Sequence, residues 1–275
     1  MKQILNSNTY PDFPNFEINY HKKVELFLDS FLGLDINKDS FKILYVKEAE
    51  VISRFRQQAI QHSKFFDVII TYDEEILKKC DNSCFFPFGT SWIHDYDFPE
   101  KKFQVSHLTG HKMMTEGHRL RQKIHYKQDL IKIQKDFYIS KFGGVENLLN
   151  NKILADSKTP LFDSKFHICI ENSREKNYFT EKIVDCFITK TIPIYWGCTN
   201  IGDFFDTEGF FIVNNFDEII NCCNNLNDEL YEKKLEIIEK NFNLALGYAD
   251  LNKNLKKKIE QILKTKHEYI PTNNK

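Results

Sequence analysis

No Gly-rich phosphate loop occurs anywhere in this chain of 275 residues, which holds only 10 glycines. That argues against a Walker-type nucleotide site, whose backbone amides cradle phosphate through such a loop. No apolar run approaches the ~18 residues of a membrane span, so no transmembrane segment is expected. The opening Met1-Lys-Gln-Ile-Leu-Asn-Ser-Asn8 is no signal peptide. Neither charge is in excess: 38 basic residues stand against 39 acidic ones, a formal net of −1. The basic footprint of a nucleic-acid-binding protein is therefore missing. Internal repeats are also missing.

Cysteine is present but unpaired in pattern. The seven residues are an odd number, and several lie inside apolar runs. Buried free thiols in a reducing, cytoplasmic compartment account for this. Cys80 and Cys84 could start a zinc site, but no second pair stands at ligand spacing. His107, His111 and His118 lie close in sequence, yet no carboxylate or cysteine completes a site around them. They read as surface or loop histidines. What the chain has in quantity is phenylalanine, 25 residues, so its core is expected to lean on aromatic burial.

The most informative stretch begins at Phe166. An apolar run ends in Glu171-Asn172-Ser173, and a polar loop follows. Thr180 is a plausible N-cap. Ile183, Val184, Phe187 and Ile188 then share one helical face, and a second apolar run spans Thr191 to Gly197. Strand, helix and strand in about thirty residues make a βαβ unit. Asn172, Glu181 and Lys182 fall at its carboxyl rim, where open α/β sheets bind ligands. Free amides and the helix dipole favour an anion there, and Lys182 adds a formal charge.

Elsewhere the pattern alternates. Val24 to Leu32 is expected to be a helix, with Val24, Phe27, Leu28 and Phe31 on one face. Strands are expected at Phe41–Val46, Asp67–Thr71, Phe85–Gly89, Phe103–Leu108 and near Phe137. Helices are expected over 52–62, 74–79 and about 119–131, and in the tail, where Tyr231, Leu235, Ile238, Phe242 and Ala245 recur at 4-3-4-3 spacing. The lysine-rich 253–258 reads as the solvated face of an amphipathic helix. Strands alternating with helices imply mostly parallel sheets. The polar Asp95–Lys102 segment is expected to divide residues 1–100 from 101–275.

Glu171-Asn172-Ser173, Tyr178-x-Thr180-Glu181-Lys182 and Thr191-Ile-Pro-Ile-Tyr-Trp-Gly197 resemble the signature of the α-1,3/1,4-fucosyltransferases, glycosyltransferase family ten. The resemblance implies an α/β, GT-B-like fold: two Rossmann-like domains facing a cleft, here with a shortened N-terminal one and a helical C-terminal tail. It implies an inverting, metal-independent transferase without a cofactor. Such an enzyme takes L-fucose from GDP-fucose, or a sugar from a related nucleotide sugar, to an oligosaccharide or glycoconjugate hydroxyl. Asn172, Tyr178, Glu181 and Lys182 would bind the donor, with Glu181 taking the ribose hydroxyls. Arg121, or else Arg119, would meet the phosphates. The family's base is a glutamate beyond an N-terminal-domain strand, a place held by Glu48, with Glu50 as the alternative. Animal members carry a membrane anchor, so its absence points to a bacterial or viral cytoplasmic enzyme. A catalytically inactive nucleotide- or glycan-binding relative is the alternative reading.

Overall fold

The computed structural model describes residues 1–7, 14–141 and 152–268. Its contacts divide the chain into two compact units, Met1–Pro87 together with Asp250–Lys275, and Phe88–Ala249.

The first unit opens with an antiparallel pair, β1 (Lys2–Leu5) and β2 (Phe16–Asn19). Then come β3 (Val24–Leu28), β4 (Phe41–Val46), α1 (Glu50–Ser53), α2 (Arg56–Gln61), β5 (Val68–Thr71), α3 (Glu74–Lys79) and β6 (Ser83–Phe85). β3 to β6 form one parallel sheet in sequence order. Val24–Leu28 is thus a strand, not the expected helix. All five of its residues are buried, and a strand covered on both faces loses the alternation that would distinguish it from a short helix. Its Glu25 is satisfied from outside the strand, accepting from Lys38 Nζ and Ser40 Oγ. α3 starts as its sequence dictates: the Asp73 carboxylate accepts the amides of Glu75 and Ile76, an N-cap that satisfies two otherwise orphaned donors.

The second unit holds β7 (Lys102–Thr109), α4 (Glu116–Tyr126), β8 (Lys135–Ser140), β9 (Lys152–Leu154), β10 (Ser164–Ile170), α5 (Glu181–Ile188), β11 (Ile192–Trp196), β12 (Phe211–Ile212), α6 (Phe216–Asn224) and α7 (Asp228–Ala249). Among the described residues its six strands are parallel in the order β12-β11-β10-β7-β8-β9. β7, β8 and β9 run outward one way; the chain then returns beside β7 and runs outward the other way. The strand order therefore reverses between β7 and β10, and a crevice opens at the carboxyl ends of strands at such a switch point. The core is aromatic, as the composition implies. The Phe179 ring centroid lies 4.8 Å from that of Phe204, 5.6 Å from Phe205 and 5.2 Å from Tyr248.

The last helix is α8 (Leu251–Glu268). Leu251, Leu255, Ile259 and Leu263 recur every fourth residue and are buried, and α8 packs on β2. The division therefore falls at Pro87 rather than in 95–102, and the last helix groups with the first unit rather than the second. Its apolar stripe accounts for this, because the stripe is buried where α8 packs on the first unit. Among the described residues no helix is long and apolar enough to cross a membrane.

Candidate active site

The switch point of the second unit carries a cavity of about 430 Å³, within the range of small-molecule sites. The ends of β7 and β10 form its walls, through Thr109, Gly110 and Ile168–Ile170. Among the described residues Lys112, Arg121, Lys158 and Lys182 line it, against two carboxylates, Glu181 and Asp185. Four formal cations against two anions favour an anionic ligand.

The first turn of α5 is built by its cap. Thr180 Oγ1 accepts from the Lys182 amide at 3.4 Å. Glu171, just past β10, is buried and accepts from Thr180 N–H at 2.9 Å and Thr180 Oγ1 at 2.7 Å. One carboxylate thus ties the loop after β10 to the helix start. Gly197 is required beside it: a Cβ there would lie 2.5 Å from Glu171 Cγ and from Tyr195 Oη.

Lys182 Nζ reaches Thr180 Oγ1 (2.9 Å), Glu181 Oε1 (3.3 Å) and Glu171 Oε2 (3.5 Å). Burial alone would lower the Lys182 pKa, but Glu181 and Glu171 outweigh it and raise it. For Glu181, burial alone would raise the carboxyl; the Lys158 and Lys182 ammonium groups reverse this and hold it well below the usual range. Both groups are therefore ionised at neutral pH.

Arg121 comes from α4. Its Nη1 donates to Ile170 O (2.5 Å) and Glu171 O (3.3 Å), and its Nη2 to Asn172 Oδ1 (2.9 Å). The guanidinium thus staples α4 to the end of β10 while lining the cavity. Arg119 is turned away, donating to the carbonyls of Met113 and Met114, and does not line it. α4 approaches β10 closely through Gly117, where a Cβ would lie 1.9 Å from Glu171 O.

The structure brings Arg121, Asn172, Glu181 and Lys182 to one cavity. Tyr178 is buried at 1% exposure and does not line it. Glu48 lies in the first unit, just past β4, with its Oε1 accepting from the Ala49 amide at 3.1 Å. The amides of Lys47 and Glu48 both donate to Asp29 Oδ1, at 2.9 and 3.2 Å, and burial pushes the Asp29 carboxyl up to about 6. Glu50 starts α1 and its carboxylate accepts from the Arg56 amide at 2.8 Å.

Two of the three neighbouring histidines are not surface residues. His107 is buried in β7, its Nε2 3.0 Å from Arg121 O. His118 is buried in a capping box with Thr115: its amide donates to Thr115 Oγ1 and its Nδ1 accepts from the Thr115 amide. Only His111 is exposed. Among the described residues no group of three or more His, Cys, Asp or Glu could hold a metal ion. The seven cysteines are free and five are buried.

Lys158, Asp185 and Trp92 line the same cavity and escape sequence reasoning. Asp185 is fully buried on α5, and burial lifts its carboxyl to about 6. An acid flanked by Val184 and Cys186 inside an apolar helix was the available signal, since such a group needs buried partners.

Residues 98–236, half of the chain, match the model of glycosyltransferase family 10 (fucosyltransferase), C-terminal part. The chain belongs to glycosyltransferase family 10. This family 10 chain is 34% identical over 134 residues to the α-(1,3)-fucosyltransferase FucT of Helicobacter pylori, a match covering 45% of this chain and 26% of that protein. It therefore spans about a quarter of the length of that relative. Its fold is similar to that of TarM (TM-score 0.56, 16% identity, 86% of this chain and 54% of that one). It is also similar to a solved α1,3-fucosyltransferase (0.51, 18%, 79% and 69%) and to an α1,3-fucosyltransferase with GDP-fucose (0.50, 17%, 84% and 81%). The fold class is GT-B-like, built on two parallel-sheet units with a helical C-terminal region.

Proposed function

We propose that this enzyme moves L-fucose from GDP-fucose to a glycan hydroxyl, with inversion at the sugar carbon and without a metal ion. The observation that carries the reading is the cation-rich cavity at the β7/β10 switch point, where Arg121 and Lys182 meet at the end of β10. As the bond from the sugar carbon to the diphosphate oxygen breaks, that oxygen gains charge. Arg121, Lys182 and the amides opening α5 stabilise it without reorganising, and such fixed charge is usually what lowers the barrier most. Glu181, ionised and anchored, accepts from the ribose hydroxyls, and Asn172 contacts the nucleotide. Tyr178 supports the site from behind, being buried. A glycan hydroxyl attacks the opposite face of the sugar carbon, and its proton passes to Glu48 as the bond forms. Glu50 is the alternative base; its carboxylate accepts the amide of Arg56 at the start of α2, as that of Glu48 accepts the amide of Ala49.

GDP titration by calorimetry and a GDP-fucose hydrolysis assay test the reading. Lys182→Ala and Arg121→Ala should each weaken GDP binding and lower turnover, because each removes a cation worth a few kcal/mol in a dry site. Both variants at wild-type affinity and rate would overturn the phosphate assignment. A wild-type chain that binds GDP but neither hydrolyses nor transfers the sugar would be the inactive, nucleotide-binding relative.

A further inference from the structure

The ring of Trp92 sits in the cavity wall, 60% exposed. A single exposed apolar side chain is ordinary; the fastening of this one is not. The Trp92 amide and the Ser91 hydroxyl both donate to Asp185 Oδ1 at 2.8 Å, and Asp185 and Ser91 are buried. The Lys158 ammonium lies 3.9 Å from the centroid of the Trp92 ring. It also pairs with Asp185 Oδ2 at 3.4 Å and Glu181 Oε1 at 3.2 Å. One aromatic plane is thus fixed by a buried carboxylate through its backbone and by a cation–π contact through its ring, while much of its surface stays open.

Position along α5 gives this plane a meaning. Glu181 and Asp185 are four residues apart and so share one helix face. The Lys182 ammonium turns to Thr180 and Glu171, toward the end of β10 where Arg121 is anchored. The Lys158 ammonium turns the other way, to Asp185 one turn farther along α5. Glu181 lies between the two. If the diphosphate lies with Arg121 and Lys182 and the ribose with Glu181, the group on the far side of the ribose is the nucleobase.

We infer that Trp92 is the stacking face for the nucleobase of a nucleoside-diphosphate donor, held in place by Asp185 and Lys158. This rests on the donor site proposed above and adds a residue to it. Stacking accepts any purine face, so Trp92 supplies affinity, and base identity must be read elsewhere.

The test uses the full chain, whose only two tryptophans are Trp92 and Trp196, the second buried. Titrating GDP should change tryptophan emission in the wild type. Trp92→Phe should keep most of the affinity and lose that change. Trp92→Ala should bind GDP roughly ten- to a hundredfold more weakly, with inorganic pyrophosphate affinity and the melting temperature unchanged. Lys158→Arg, which keeps a cation over the ring, should preserve the emission change, and Lys158→Met should diminish it. Trp92→Ala with wild-type GDP affinity overturns the inference and leaves the donor site standing; a raised acceptor KM alone would then give Trp92 to the acceptor sugar. A wild-type chain that does not bind GDP overturns both.

Discussion

Replacing Gly117 by alanine sets two effects against each other. Propensity favours the change, by less than the about 1 kcal/mol that alanine gains over glycine in a helix interior, because Gly117 is the second residue of α4. Packing opposes it. The new Cβ would lie 1.9 Å from Glu171 O and 3.0 Å from Asn172 O. Both are backbone atoms, so no side chain can rotate away, and α4 must retreat from the end of β10 by about 1 Å before contact becomes tolerable. Arg121 travels with α4, and its bonds to Glu171 O and Asn172 Oδ1, now 3.3 and 2.9 Å, would stretch past hydrogen-bonding range. Overpacking costs about 1–3 kcal/mol, which outweighs the propensity gain. At roughly 2–4 °C per kcal/mol in a unit of this size, melting should fall by several degrees. If Arg121 meets the donor diphosphate as proposed, displacing it by this distance should also cost on the order of 10²-fold in turnover. Thermal denaturation and GDP calorimetry on the whole chain are the assays. A Gly117→Ala protein that melts at or above wild type with unchanged GDP affinity would refute the reasoning.

Glu48→Gln should keep GDP affinity while transfer falls by about 10²-fold or more, and Glu50→Gln should be near neutral; sugar-transfer assays on both would move the base if the pattern were reversed. Stability should fall on acidification below about pH 6.5. Burial holds His107 and His167 down near 3 and His118 near 4, so the unfolded chain, whose histidines titrate near 6.5, takes up protons that the folded one refuses. Each contributes up to about 1.4 kcal/mol per pH unit across that window. Asp29 and Asp185, both lifted to about 6 by burial, act with the opposite sign between roughly pH 4 and 6, two groups against three. Urea midpoints at pH 5 and pH 7 that coincide would contradict this.

The β10–α5–β11 unit was legible because everything that makes it is local. The cap at Thr180, the helix face from Ile183 to Ile188 and the two flanking strands lie within one short window, and the family signature occupies the same window. The site's wider frame was not legible. Trp92 meets Asp185 across 93 positions and Lys158 meets it across 27, separations that no periodicity encodes. Val24–Leu28 was misread because burial on both faces erases the strand period. His107 and His118 were misjudged for a related reason: their polar partners, Arg121 O and Thr115, become neighbours only once β7 and α4 are formed. Tyr178 carries a position in the signature, but the signature cannot say whether a residue touches ligand or props up one that does.

The return of α8 to the first unit also fixes an order of events during synthesis. Every residue of Phe88–Ala249 leaves the ribosome before the helix that completes the first unit does. Domains fold as units while the chain is made, so the second unit can close while β2 still lacks its cover. Until then the first unit carries an unfilled apolar surface, and Leu251, Leu255, Ile259 and Leu263 are the plug it awaits. A premature stop after Ala249 would leave the later half intact and the earlier half exposed. A truncation begun at residue 101 would strand the same helix without its sheet and discard Ser91 and Trp92.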